Sequence, residues 1–408
     1  MKQANLREYA RLIAAVGANV QKGQHVELRA GLDQPDFVRM VAEECYRLGA
    51  ARVRVEWEYP ALTKLDSRKC SRKNLAKLED WEVEKLRWKS ETLPCVIWLD
   101  SEDPDALKGA DQAKLAAVRQ DRYPVIKPFR DKMESRYQWC IAAVPGAAWA
   151  KKVFPGLRKN QALEALWEAI LECARAKGDG VENWKRHNEN LKKRSDRLNS
   201  LGLQALRYRS ARGTDLQVGL MPESRFLAGG ETTLGGGVYF NPNMPTEEVF
   251  TSPKAGCADG IVYATMPLSY QGQLIENFWL RFREGKVVGL GAEKNEALLR
   301  TMLTMDEGAS MLGECALVGL DSPIWQRGHL FYNTLFDENA ACHLALGTGF
   351  PECVRGYEGM TKEQLNALGL NDSMLHVDFM IGDGTLEIDG LTADGTWVPI
   401  FRQGDWVE

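Results

Sequence analysis

Along the first half of the chain, segments with the helical spacing of apolar residues alternate with segments that have the spacing of strands. Apolar positions three and four residues apart predict helices, whereas short continuous or alternating apolar runs predict strands. The predicted helices cover about 4–20, 33–48, 71–90, 111–121 and 160–176, and the predicted strands cover 25–30, 53–57, 95–99 and 139–144. Because strands and helices alternate, we expect a parallel sheet wrapped by helices, an α/β domain. No glycine-rich phosphate loop follows these strands, so the pattern does not indicate a nucleotide site.

The pattern changes after a glycine-containing turn and a strongly polar helix, predicted over about 181–199. Residues 203–290 are rich in short strands and turns, and Glu284-Gly285 lies between two strand-like runs as in a hairpin. Helices and strands alternate irregularly to the end. We therefore predict two domains: an α/β domain at 1–185, and a mixed, largely antiparallel α+β domain at 186–408 that carries the metal site.

The stretch 374–384 contains the clearest candidate for chemistry. His376 and Asp378 lie two residues apart among apolar neighbours, Val377 and Phe379. In a strand, residues i and i+2 point to the same face, so this imidazole and this carboxylate would project side by side. Nitrogen and oxygen donors held together in this way suit a borderline divalent ion. A histidine paired with a neighbouring carboxylate in the core is the structural alternative.

Three further stretches of the second half supply donors. Glu314 and His343 each interrupt an otherwise apolar run, where an unpaired polar group is costly. Glu247-Glu248 follows two prolines, although Thr246 followed by acidic residues also fits the start of a helix. The polar run Asp337-Glu338-Asn339, before His343, is a weaker candidate for lining a pocket. Five donors remain as a set: Glu248, Glu314, His343, His376 and Asp378.

Such a set can hold two divalent ions with one group shared. Two-metal sites suit hydrolysis, because the pair of ions binds both the attacking water and the substrate carbonyl. We therefore expect metal-assisted hydrolysis. A carboxylate near the ions would transfer the proton to the leaving group, and we expect Glu314, with Glu247 as the alternative.

Charge and composition narrow the possible partners. The 408 residues carry a net charge of -4, which provides no basic field for nucleic acid. No window approaches the apolar length of a membrane span, and the N-terminus does not resemble a signal peptide. There are nine cysteines but no Cys-x-x-Cys pair. A cytoplasmic protein with reduced thiols, without nucleic-acid or membrane partners, is the simplest interpretation.

The stretches around the donors, taken together, resemble the M29 metallopeptidases, the aminopeptidases of the T, S and PepS type. The order and spacing of 243–251, 313–318, 343–347 and 376–382 carry this resemblance, which covers essentially the whole chain. It implies a homodimer that releases N-terminal residues from peptides by means of two divalent ions: zinc, cobalt or manganese. Carried over position by position, it implies the ligands Glu248, Glu314, His343, His376 and Asp378.

One position departs from the family pattern. Members often carry a tyrosine seven residues after the ligand histidine, where its phenol reaches a metal ion. This chain has Phe350 there. Phenylalanine has no donor, so one ion would lose a ligand or bind water instead.

Two other functions are compatible with the sequence. Ring-cleaving dioxygenases acting on dihydroxypyridines resemble the second half, and His343, His376 and Asp378 alone could hold one iron. Glu248 and Glu314 would then have no role. Alternatively, Phe350 marks a degenerate site, and the protein binds peptides without cleaving them. A metal count separates the first alternative from a peptidase, and turnover of an amino-acid p-nitroanilide separates the second.

Overall fold

The structure, a computed structural model, describes residues 2–101, 103–270 and 272–407. The chain divides into two compact units. The first unit contains Met1–Lys185 together with Gly230–Pro245, and the second contains Arg186–Gly229 together with Thr246–Glu408. Among the described residues, no helix is long and apolar enough to cross a membrane.

The strands are numbered in chain order. They are β1 His25–Gly31, β2 Arg52–Glu58, β3 Cys95–Asp100, β4 Trp139–Ala143, β5 Ala205–Arg209, β6 Asp215–Leu220, β7 Leu227–Ala228, β8 Glu231–Thr232, β9 Tyr239–Phe240, β10 Asn243–Met244, β11 Val249–Thr251, β12 Pro253–Tyr263, β13 Leu268–Tyr270, β14 Gln273–Ile275, β15 Trp279–Arg283, β16 Lys286–Gly291, β17 Leu312–Leu317, β18 His343–Gly347, β19 His376–Met380, β20 Glu387–Leu391, β21 Trp397–Arg402 and β22 Asp405–Trp406.

The α-helices are numbered in the same way. They are α1 Gln3–Leu12, α2 Pro35–Arg47, α3 Pro60–Lys69, α4 Arg72–Ala76, α5 Asp80–Thr92, α6 Gln112–Met133, α7 Ala147–Val153, α8 Lys159–Cys173, α9 Gly180–Leu201, α10 Glu296–Leu303, α11 Thr334–Asp337 and α12 Lys362–Leu368. A π-helical turn, Ile13–Gly17, continues α1. Short 3₁₀ turns lie at Gly308–Ser310, Trp325–Arg327, Glu338–Ala340, Pro351–Cys353 and Tyr357–Gly359.

The first unit contains a five-stranded parallel sheet with the order β10-β4-β3-β1-β2. The continuous apolar run of β3 lies within this sheet, paired with β1 on one side and β4 on the other. A strand with neighbours on both sides exposes little backbone, and β3 is correspondingly buried over most of its length. The predicted α/β architecture is confirmed.

Two features of the first unit differ from the prediction. Residues 230–245 return to this unit, because Asn243 and Met244 pair with Ile141 and Ala142 at the edge of the parallel sheet. The second unit is therefore not one continuous segment from 186. The prediction that a helix ends near 121 is wrong, since α6 runs on to Met133 with Pro124 and Pro128 inside it.

The second unit consists mainly of two antiparallel sheets. One has the order β16-β15-β12-β6-β5-β20-β21-β22, and the other has the order β19-β18-β17-β11-β7. Apolar side chains of both sheets belong to one hydrophobic core. The predicted hairpin is confirmed: Glu284 and Gly285, both at positive φ, connect β15 to β16. A mixed α+β unit thus follows the α/β unit in the chain, as predicted.

Candidate metal centre

The register of the five-stranded sheet determines which side chains share a face. Directly opposite residues of antiparallel strands project to the same side of a sheet. Ala345 pairs with Glu314 on one side and with Asp378 on the other, and Gly347 pairs with His376. Ala316 pairs with His343 and with Phe250. The sheet therefore presents Glu314, His343, His376 and Asp378 on one face, which we call the donor face.

The opposite face of the same strands explains why the donors point where they do. Successive residues of a strand alternate between faces, so the neighbours of the donors project to the other side. These neighbours are buried in the core of the second unit; they are Val249, Cys315, Leu317, Leu344, Leu346, Val377 and Phe379. Burial of this apolar face fixes the register, and a slip by one residue would move every donor into the core.

A bulge at Gly313 brings Glu314 onto the donor face. Leu312 pairs with Leu346, but Glu314 pairs with Ala345, so Gly313 is the extra residue of β17. A Cβ at Gly313 would lie well under 3.0 Å from the backbone carbonyl oxygens of Gly347 and Thr348. The close approach of these two chain segments therefore requires glycine at this position.

Donor atoms converge in two groups that share one residue. Glu248, Glu314 and His343 form one group, and Glu314, His376 and Asp378 form the other, with ligand atoms within 4.8 Å of one another in each. His343 Nε2 lies 3.4 Å from Glu248 Oε2. His376 Nε2 lies 3.3 Å from both Glu314 Oε2 and Asp378 Oδ1. All five residues singled out by the sequence are thus brought together, with Glu314 common to both groups.

The two acids of Glu247-Glu248 point to different partners. Glu248 approaches His343, whereas the Glu247 carboxylate lies 3.9 Å from His187 Nε2. The backbone N–H of Glu247 donates to Asn339 Oδ1 at 2.7 Å. This segment leads into β11 and not into a helix, so the interpretation of Thr246 as a helix cap is wrong.

Both imidazoles are oriented for coordination through Nε2. The Nδ1–H of His376 donates to the carbonyl oxygen of Thr348 at 2.9 Å, and that of His343 donates to Ala341 at 3.3 Å. A hydrogen bond of this kind fixes the orientation of the ring, so that Nε2 can bind a metal ion once its proton is displaced. The Oδ1 atom of Asp378 is buried, and His376 Nε2 lies 3.3 Å from it. These donors fit a divalent cation.

Burial of so many acids in one place changes the proton affinities. Burial raises the pKa of Glu314 to about 7, and the carboxylates of Glu248 and Asp378 act in the same direction. Burial alone would lower the pKa values of the imidazoles. The neighbouring carboxylates outweigh it and raise the pKa of His343 to about 10 and that of His376 to about 12. Protons therefore balance the negative charge in the absence of cations, and cations would displace them.

Glu338 is a further acid of this cluster. It begins a 3₁₀ turn just before β18, and burial raises its pKa well above the usual value, with further increases from Asp378 and Glu248. The sequence indicated Glu338 only as part of a polar run, because a turn has no periodicity that reveals where a side chain points. Its neighbour Asp337 has a structural role: the carboxylate accepts the N–H groups of Phe331 and Asn333 at 2.7 and 3.0 Å.

Phe350 lies beside the cluster. Its ring packs on the imidazole of His376, with centroids 4.9 Å apart, and on the ring of Phe250 at 5.5 Å. The structure therefore places an apolar ring, and no donor, next to one group of candidate ligands.

Fold and donors together define the class of the protein: a metal-dependent enzyme whose candidate centre lies on an antiparallel sheet. Comparison with known proteins gives the family, because the model of the thermophilic metalloproteases (M29) matches residues 2–406. The chain belongs to the M29 family of metallopeptidases and is a hydrolase.

Relatives and solved structures agree with this assignment. Aminopeptidase AmpS of Bacillus subtilis (strain 168) is 42% identical over 403 residues, covering 98% of each chain. The solved structure of wild-type AmpT from Thermus thermophilus matches with a TM-score of 0.91 and 37% identity, covering 100% of both chains. The structure of 2,5-dihydroxypyridine dioxygenase from Pseudomonas putida KT2440 has a TM-score of 0.52 at 14% identity, covering 100% of this chain and 98% of that one. This last likeness concerns the fold alone and does not favour the dioxygenase alternative.

Proposed function

We propose that this hydrolase is an aminopeptidase that holds two divalent ions on the donor face. Glu248, Glu314 and His343 would hold one ion, and Glu314, His376 and Asp378 would hold the other. One observation carries the proposal: two groups of three donors converge within 4.8 Å and share Glu314. Imidazole and carboxylate donors suit zinc, cobalt and manganese. The names of the relatives, which are aminopeptidases, support N-terminal residues of peptides as the substrate.

The chain's own residues determine what the bound ions can do. Two divalent ions held here would lower the pKa of bound water and polarise the carbonyl group of the bond to be cleaved. Carbonyl oxygens of Thr348 and Ala341 hold the imidazoles in the required tautomer. Glu248, Glu314 and Asp378 supply the negative charge that the cations neutralise. The buried floor of β17 and β18 keeps water away from one side of the cluster.

We assign the proton transfer to Glu338. The sequence interpretation gave Glu314 both ligation and proton transfer. A carboxylate shared by two cations is a poor base, because both charges lower its proton affinity. Glu338 belongs to the same buried cluster, where its charge interacts with those of Asp378 and Glu248, and it is absent from both groups of converging donors. It would take a proton from water and deliver it to the leaving amine.

We further propose that the protein is a cytoplasmic homodimer. The nine cysteines include no Cys-x-x-Cys pair, which supports a reducing compartment. Large apolar side chains are exposed between residues 32 and 81 of the first unit, including Trp81 at 66% and Tyr59 at 57%. Exposed apolar surface of this kind is typical of an interface. Light scattering coupled to gel filtration tests this proposal, and a monomer at micromolar concentration would contradict it.

Metal analysis combined with turnover tests the main proposal. Protein purified without chelator should contain two zinc, cobalt or manganese ions per chain by plasma mass spectrometry. It should also release p-nitroaniline from leucyl-p-nitroanilide. One iron per chain would instead support the dioxygenase alternative. Two bound ions without turnover of any amino-acid anilide would support a peptide-binding protein that has lost catalysis.

A further inference from the structure

The donor face carries two aromatic rings at one end. Phe250 is opposite Ala316 on this face, and the ring of Phe350 meets the ring of Phe250 edge to face, at 5.5 Å and 72°. Both side chains are half-buried, so part of each ring faces solvent. We call Phe250 and Phe350 the aromatic wall.

The aromatic wall is fixed relative to the donors. The backbone N–H of Phe350 donates to Ser252 Oγ at 2.8 Å, and Ser252 is fully buried. The Phe350 ring also packs on His376 at 4.9 Å, with the ring planes inclined by 54°. Phe250 follows Glu248 by two residues at the start of β11. Each ring is therefore tied to one candidate metal ligand, one from each group.

Small residues leave room beside the wall. Ala316 lies between Phe250 and His343 in the sheet register, and Ala345 lies between Glu314 and Asp378. Gly347 lies opposite His376. Because alanine and glycine project little beyond the backbone, the middle of the donor face is recessed between the donors and the rings.

We propose that the aromatic wall is the subsite for the side chain of the first residue of the peptide, and that it selects apolar side chains such as leucine, methionine and phenylalanine. This inference rests on the proposed function, since it requires the peptide N-terminus to lie at the donor face. An apolar side chain gains by covering the exposed ring surface. Phenyl rings offer no hydrogen-bonding group to a polar side chain, which would lose its water without replacement.

The ratio of kcat/KM for leucyl- and alanyl-p-nitroanilide measures this selection. We expect the wild type to prefer the leucyl substrate, and Phe250→Ala and Phe350→Ala each to reduce that ratio by about tenfold or more. Tyr357→Ala is the matched control: it removes a ring from the segment that follows Phe350, and the ratio should not change. Ratios within about twofold of the wild type in both wall variants would overturn the proposal.

Two further measurements distinguish loss of side-chain selection from loss of metal, and the subsite proposal from the proposed function. Metal content is determined for each variant, because Phe350 touches His376. A reduced ratio supports the subsite only in a variant that retains its ions. If Phe350→Ala loses metal, the result for Phe250→Ala decides, because that substitution removes no contact to His376. Calorimetric titration with leucine and glycine reports binding without turnover. Absence of anilide turnover by the wild type would contradict the proposed function. Equal binding of leucine and glycine would contradict the proposed subsite.

Discussion

The Nδ1 atom of His376 lies 2.9 Å from the carbonyl oxygen of Thr348, and this hydrogen bond turns Nε2 of the same ring toward Glu314 and Asp378. Thr348 directly follows β18, the strand that pairs with the strand of His376. The backbone of one strand therefore orients a side chain of the next. This arrangement orients the imidazole for coordination before any cation displaces its Nε2 proton.

Removal of this imidazole should abolish the centre without unfolding the protein. We expect His376→Ala to lose at least one ion per chain and to reduce kcat/KM by about a hundredfold or more, since metal-ion catalysis supplies several kcal/mol. Plasma mass spectrometry and anilide turnover measure both effects, and circular dichroism checks the fold. His329→Ala, in the same unit, should retain metal and activity. Full peptidase activity in His376→Ala would rule out the proposed centre.

Two acids of the cluster should behave differently. Glu338→Gln should keep both ions but reduce kcat by about 10²–10⁴-fold, the usual contribution of general acid–base catalysis. Glu314→Gln should lose metal, because its carboxylate belongs to both groups. Metal content and kcat are measured on the two variants in parallel. If Glu338→Gln lost both ions while Glu314→Gln retained them, the assigned roles would have to be exchanged.

The bulge at Gly313 should tolerate no side chain. A Cβ there would meet two backbone carbonyl oxygens, which cannot move aside as the end of a flexible side chain can. We expect Gly313→Ala to cost about 2–4 kcal/mol of stability and to weaken metal binding, because Glu314 is displaced. Denaturant unfolding and metal analysis test this. At Gly359 an added Cβ meets nothing within 4 Å, so Gly359→Ala is the control and should change little.

The metal-free protein should become less stable as the pH rises. Burial opposes the shift, but the Glu248 carboxylate and its neighbours raise the pKa of His343 to about 10, against about 6.5 in an unfolded chain. A group whose pKa is raised by folding stabilises the fold fully at pH values below its pKa in the unfolded chain. This contribution is lost as the pH rises through its pKa in the folded protein. We therefore expect Tm in chelator to fall by at least ~5 °C between pH 6.5 and 10.

Manganese should remove most of this pH dependence, because bound cations replace the protons on the cluster. His343→Asn, which lacks the titrating ring, should show a flatter profile in chelator. Thermal unfolding followed by circular dichroism measures both. A metal-free protein whose Tm rises over this range would show that protons do not balance the buried carboxylates.

The sequence predicted those parts of the site that depend on local alternation. His376 and Asp378 share a face because they are two residues apart, and Glu314 and His343 stood out as single polar residues in apolar strands. Neither the pairing of Glu314 with Ala345 nor the bulge at Gly313 could be inferred, since register depends on partners distant in the chain. Glu338 was predicted only as part of a polar run that could line a pocket, because its turn has no repeating pattern.

The fold was predictable to a similar extent. Alternating helices and strands indicated the parallel sheet, and turn residues indicated the hairpin at Glu284-Gly285. The return of 230–245 to the first unit rests on two paired residues, Asn243 and Met244, a signal too short to detect. The predicted helix over 111–121 was too short, because α6 continues through Pro124 and Pro128 to Met133.

The return of Gly230–Pro245 to the first unit has a practical consequence for dissecting the protein. Cutting the chain once, after Lys185, yields an N-terminal fragment whose sheet lacks its edge strand β10. The remaining piece retains sixteen residues that belong elsewhere and have lost the strand they pair with. Expression of the first unit alone therefore requires residues 1–185 joined to residues 230–245 through a linker. Expression of the second unit alone requires a short linker in place of residues 230–245.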